Sequence, residues 1–135
     1  MALRTNFLEV PPIEKRKRIP MRVIHALVKH IVEKFNPEKI ILFGSYAYGK
    51  PSKWSDVDLL VVMDTPPDGE VATAMAISDS LPPHWFSIDV VVRSQATIER
   101  RIPLGDWFLK EIMRQGKVMY ERSNRRVGRQ SRKRF

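Results

Sequence analysis

At 135 residues, with 43% hydrophobic and 29% charged residues, the chain has the size and balance of one globular domain, and a second folded domain does not fit. It has no cysteine, which excludes disulfides and thiolate zinc sites, and no apolar run of signal-peptide or membrane-spanning length, so a cytoplasmic protein outside the membrane is expected. The net charge of +9 is unevenly spread, because residues 121–135 hold seven basic residues against one acidic residue and leave the rest mildly basic.

In chain order, residues 1–19 contain Pro11-Pro12 and the cluster Lys15-Arg16-Lys17-Arg18, and read as an irregular basic arm whose charges are solvated. Pro20 suits the first turn of a helix. From Met21 the apolar residues Ile24, Leu27, Val28, Ile31 and Phe35 recur at three- and four-residue steps, which predicts a helix with one buried face ending near Asn36-Pro37. Lys39 to Phe43 and Val57 to Met63 are apolar runs stopped by Gly44 and by Asp64, and both read as buried strands. Glu70 to Ser80 reads as a helix and Phe86 to Val92 as a third strand. Ser94 is placed as N-cap of a helix through Arg101, and Leu104 to Gln115 as a further helix stopped by Gly116, with Trp107 in its core face. Val118 to Tyr120 is a candidate edge strand. The order predicts an α/β (α+β) domain over 20–121, a small sheet flanked by helices, with 122–135 as a basic, flexible tail.

The chemistry concentrates in Gly44 to Asp58, GSYAYGKPSKWSDVD. Gly44 ends the first strand, and its missing side chain would let a phosphate approach the backbone. Ser45 opens a short helix through Ala47, so its amide and hydroxyl could both donate to a triphosphate. Alone, such a turn is more often only a turn. Asp56 and Asp58 flank Val57, and alternate strand residues share a face, so both carboxylates could converge on a magnesium ion. By itself that spacing reads better as a polar strand start next to a turn. Asp89 tips the balance: it interrupts the apolar run Ile88 to Val92, where a buried carboxylate is costly unless it is paired or metal-bound. Three acids can serve two metal ions in an in-line displacement and accept a proton from the attacking hydroxyl. A salt bridge from Asp89 to a lysine or arginine such as Arg93 is the alternative.

Gly-Ser, ten residues, Asp-x-Asp and a later lone Asp in a strand together resemble the DNA polymerase β nucleotidyltransferase superfamily. The Gly-Ser-Tyr-Ala-Tyr-Gly turn, the strand Ser-Asp-Val-Asp-Leu-Leu-Val-Val and the ending Gly-Lys-Val-Met-Tyr-Glu are similar to its minimal (MNT) branch, over roughly Ile24 to Glu121. The resemblance implies a polymerase β-like fold, with Gly44 and Ser45 on the triphosphate and Asp56, Asp58 and Asp89 as metal ligands and catalytic acids. It further implies Mg2+ at a two-metal site, ATP as substrate, and transfer of AMP to a hydroxyl. Minimal members often act as antitoxins that modify a tyrosine of a HEPN-type toxin, so such a partner protein is expected. The family commonly has an arginine where this chain has Tyr48, and Lys50 or Lys53 could replace that phosphate contact, although a loop lysine is usually a solvated surface residue.

Other residues are assigned to structure. His25 and His30, five apart on the first helix, are too separated to share a metal. His84 is expected to anchor its loop, Trp85 could border the cleft, and Trp54 is expected to pack. Two readings compete with the enzyme: a binding module that neutralises a partner or contacts nucleic acid through its basic ends, and a nucleotidyltransferase for an antibiotic or other small molecule.

Overall fold

A computed structural model describes residues 7–123. The apolar period after Pro20 produces the longest helix, α1 (Met21–Phe35), which buries Val23, Ile24, Leu27, Val28 and Ile31 along one stripe. Pro20 itself sits one position before the helix, as its N-cap, and its carbonyl accepts the first bonds from Val23 and Ile24. The helix stops at Asn36, which adopts the left-handed conformation at φ +48 and bonds back to Val32, and Pro37 prevents continuation.

The following elements are β1 (Lys39–Phe43), α2 (Ser45–Tyr48), β2 (Val57–Val62), α3 (Glu70–Asp79), β3 (Ile88–Arg93), α4 (Gln95–Arg101), α5 (Trp107–Gln115) and β4 (Lys117–Glu121). The strands form one mixed sheet in the order β3-β2-β1-β4, with β2 and β3 parallel and the other two pairs antiparallel. The α/β expectation therefore holds, and β4 is an edge strand as predicted. So is β3, at the opposite edge.

Both faces of the sheet are covered, which is why β1 and β2 read as unbroken apolar runs rather than alternating ones. Ile40, Leu42, Val57, Leu59 and Val61 pack with α1 and with Ile77 of α3. Ile41, Phe43, Leu60 and Val62 pack on the other face with Ile98 of α4 and with Leu109 and Ile112 of α5. Ser94 caps α4 as expected, its hydroxyl accepting the Thr97 amide at 3.1 Å. The α5 cap is Asp106, which accepts the Leu109 amide at 2.9 Å, so the helix starts at Trp107 rather than Leu104.

Trp107 is not core: it is 69% exposed. Leu109 and Ile112 set the buried face, and at about 100° per residue Trp107 lies on the far side of the helix. Its ring takes the Lys110 ammonium instead, 5.2 Å from the centroid.

The basic arm also departs from a solvated one. Leu8 and Ile19 are buried in the same core as α1, and Arg16 is buried at 8% exposure. Its guanidinium donates to the carbonyls of Pro11 (3.0 Å) and Trp85 (3.1 Å), while Nε has no partner among the described atoms. Arg18 lies over the Tyr46 ring at 4.8 Å, so only Lys15 and Lys17 of the cluster are exposed. Arg16→Ala should lower stability by about 2 kcal/mol, since two charge-assisted bonds and the packing of a buried side chain are lost. Urea denaturation beside an exposed control, Lys17→Ala, checks this; equal midpoints would remove Arg16 from the fold's support. The first residues of the arm, 1–6, and the expected tail over 124–135 lie outside the described residues.

Candidate active site

The end of the sheet where β1 stops and β2 and β3 begin collects all five residues singled out above. β1 stops at Gly44, whose backbone (φ +75, ψ −156) lies in a region that essentially only glycine occupies. A Cβ there would collide with Oδ2 of Asp58. Gly44 thus makes room for an acid of the next strand, a reason invisible in the sequence and additional to any approach of phosphate.

Ser45 opens α2, one residue longer than expected, with the amides of Ala47 and Tyr48 bonded to the Gly44 carbonyl at 2.9 and 3.0 Å. The amides of Ser45 and Tyr46, the first two of the helix, have no acceptor within it and are the turn's candidate donors. Tyr46, which the sequence reading passed over, fixes the turn in place. It is 4% exposed, and its hydroxyl accepts the Ile19 amide at 2.9 Å. An aromatic residue one step past the Gly-Ser pair was the signal available.

Asp56 precedes β2, and Asp58 lies within it, on either side of the fully buried Val57. Asp89 of β3 is the in-register neighbour of Asp58 in the parallel pair. Their side chains therefore leave the sheet on one face, and carboxylate oxygens of Asp56, Asp58 and Asp89 lie within 4.8 Å of one another. Burial, then the charge of Asp89, a hydrogen bond with it, and the charge of Asp56 push the Asp58 carboxyl up to about 7.

The structure brings Asp89 to the site for a different reason from the one argued above. β3 is an edge strand and Asp89 is exposed, so no buried-charge penalty forces a partner on it. A bridge to Arg93 is also out of reach, since four residues along a strand span about 13 Å. Arg93 turns to Glu70 (4.0 Å) and to the Val92 carbonyl (2.8 Å).

The neighbouring aromatics are mostly exposed. Trp54 is 72% exposed, not packed, with the Lys53 ammonium 5.9 Å from its ring centroid; Trp85 is 77% exposed and Tyr48 41%. Lys50 is exposed and Lys53 partly so. His84 anchors its loop as expected, Nδ1–H donating to the Phe86 carbonyl at 2.8 Å. His25 is exposed and His30 bonds Ser80 Oγ at 3.0 Å, so each has a separate structural setting. No helix among the described residues is long and apolar enough to cross a membrane.

Three comparisons bear on the family and the fold. Residues 24–119, a span holding all five site positions, match the family described as "Nucleotidyltransferase domain". The chain is 32% identical over 84 residues to a Methanocaldococcus jannaschii protein named "Putative protein adenylyltransferase", the match covering 62% of this chain and 78% of that one. Its fold is similar to the crystal structure of "a putative nucleotidyltransferase from Sulfolobus solfataricus", with a TM-score of 0.52 and 19% identity over 73% of this chain and 78% of the other.

Proposed function

Because the chain belongs to the nucleotidyltransferase domain family, we propose that it is a magnesium-dependent adenylyltransferase that moves AMP from ATP to a protein hydroxyl. The observation that carries this reading is the convergence of Asp56, Asp58 and Asp89 oxygens within 4.8 Å beside a Gly-Ser turn. An all-oxygen, all-carboxylate donor set suits a hard cation, which would also offset the burial and the neighbouring charges of Asp89 and Asp56 that raise the Asp58 carboxyl. Asp56, Asp58 and Asp89 would hold Mg2+, which when bound neutralises charge developing on the phosphates.

The chain's own residues divide the remaining work by their place in the sheet. Gly44 and Ser45 follow β1, Asp58 stands in β2 and Asp89 on the outer strand β3. An in-line displacement keeps the attacking and leaving oxygens on opposite sides of the phosphorus. With amides and hydroxyl of the Gly44-Ser45 turn binding the leaving pyrophosphate, the acceptor hydroxyl attacks from the β3 side. Asp89, exposed there, takes its proton. Catalysis is then largely positioning and charge neutralisation.

The acceptor we favour is a tyrosine of a partner protein of the HEPN toxin type, supported by the resemblance to minimal nucleotidyltransferases and by the relative named as a protein adenylyltransferase. The test is incubation of the purified chain with α-labelled ATP, Mg2+ and the protein encoded by the adjacent gene. Label should pass to that protein, chelation should stop it, and Asp56→Ala should reduce it by roughly a hundredfold or more. No transfer by wild type, or equal transfer by Asp56→Ala, would reject the proposal.

A further inference from the structure

Beside the acids a groove of about 420 Å³ runs between α3 and the outer edge of β3, from Asp89 to Arg93. Among the described residues β3 has one strand neighbour, so half of its backbone groups face this groove. Which half follows from two bonds: the carbonyls of Ser87 and Arg93 accept the amides of Val57 and Met63 from the β2 side, at 3.0 and 3.1 Å. The N–H and C=O of one strand residue point the same way and alternate along the strand, so Ile88, Val90 and Val92 present theirs outward. The Arg93 guanidinium, held by Glu70, covers the outward carbonyl of Val92 and closes the far end. Among the described residues the end next to Asp89 has no such cover.

We propose that the acceptor binds as an extended polypeptide segment that pairs with Ile88 and Val90 as a short fifth strand and so delivers its hydroxyl to Asp89. This rests on the protein-acceptor reading above and specifies how that acceptor is held. A residue beside Asp89 in an added strand lies about 4.8 Å away and points to the same face. Its neighbours in the segment point to the other face, where Ala74 and Ile77 of α3 pack and the exposed Val71 and Met75 line the groove. The pattern that fits is therefore apolar, hydroxyl, apolar. With Glu70 matched by Arg93, Asp79 of α3 leaves this side of the groove negative, which favours a segment carrying a basic residue. Backbone pairing supplies affinity and the alternating side chains supply selection.

The probe is the protein encoded by the adjacent gene, with α-labelled ATP and Mg2+, and the variants are Val90→Pro and Met75→Glu. Proline is tolerated on an edge strand where the lost N–H faces outward, and Asp89 before it is already extended. Both variants should keep wild-type ATP affinity while KM for the protein acceptor rises about tenfold. In wild type, hydrogen exchange at the Ile88 and Val90 amides should slow when the acceptor is added. Wild-type acceptor KM in the folded, ATP-binding variants, or unchanged exchange, overturns the proposal. So does a Val90→Pro variant that converts a dimer to a monomer with acceptor KM unchanged, since the edge would then belong to a second copy. Should Val90→Pro not fold, Met75→Glu, at an exposed helix position, decides alone. If wild type labels no protein, the protein-acceptor reading fails and this proposal with it, a result distinct from the variants failing to differ.

Discussion

Asp58→Asn is expected to lower nucleotidyl transfer by about a thousandfold and, in the same molecule, to make the metal-free fold more stable above neutral pH. The loss follows from position: Asp58 stands between Asp56 and Asp89 in the oxygen cluster and is the acid that Gly44 is shaped around. The gain follows from proton counts. An aspartate starts from 3.8, whereas folding raises Asp58 to about 7 through burial and the nearby Asp89 and Asp56. Between those values the folded state holds more protons than the unfolded one, so stability falls as pH rises through the window and stays low above it. Asparagine carries no charge and escapes that fall. Because Asp58 is half exposed, solvent screening reduces the gain to on the order of 1 to 2 kcal/mol. Urea denaturation at pH 4 and pH 8 without metal measures it, with the variant gaining over wild type only at the higher pH. Magnesium should narrow the gap by stabilising wild type more. A variant that is active, or less stable than wild type at pH 8, would contradict this account of the acid cluster.

Gly44→Ala should cost activity roughly a hundredfold and stability about 1 to 3 kcal/mol, through two separable effects. One is backbone strain at φ +75, where an L side chain is unfavourable. The other is the collision of the new Cβ with Asp58 Oδ2, which must open the turn or push the carboxylate away from Asp89. Gly105 separates the two effects. It also has positive φ, +96, but a Cβ there meets nothing within 4 Å. Gly105→Ala should therefore lose stability and keep activity, whereas Gly44→Ala loses both. Comparable rates for Gly44→Ala and wild type at a temperature where both are folded would show that the glycine serves the turn alone.

The local part of this protein was legible before any coordinates. The apolar period of α1, the β-branched runs of β1 and β2, and the Ser94 cap are properties of a few adjacent residues, and they appeared close to where they were expected. The three acids were legible as a chemical set, since Asp56 and Asp58 are related by strand alternation and Asp89 stands out in an apolar run. Asp106 as a cap was missed because Leu104 continued the apolar pattern in front of it. Trp54 and Trp107 were misplaced because residue type was allowed to stand for burial, while exposure depends on which face of each segment meets the sheet.

By itself, then, the sequence determined the α/β element order and the kind of chemistry, because periodicity and short-range spacing are fixed by backbone geometry that every chain shares. Strand order was decided only in three dimensions. Pairing between segments far apart in the chain placed β3 at the edge, set Asp89 in register with Asp58, brought Gly44 against the same carboxylate, and buried Arg16 under the Trp85 loop. Those contacts join residues up to 69 positions apart, and no local pattern encodes them. They bring the three acids and the Gly44-Ser45 turn to one end of the sheet.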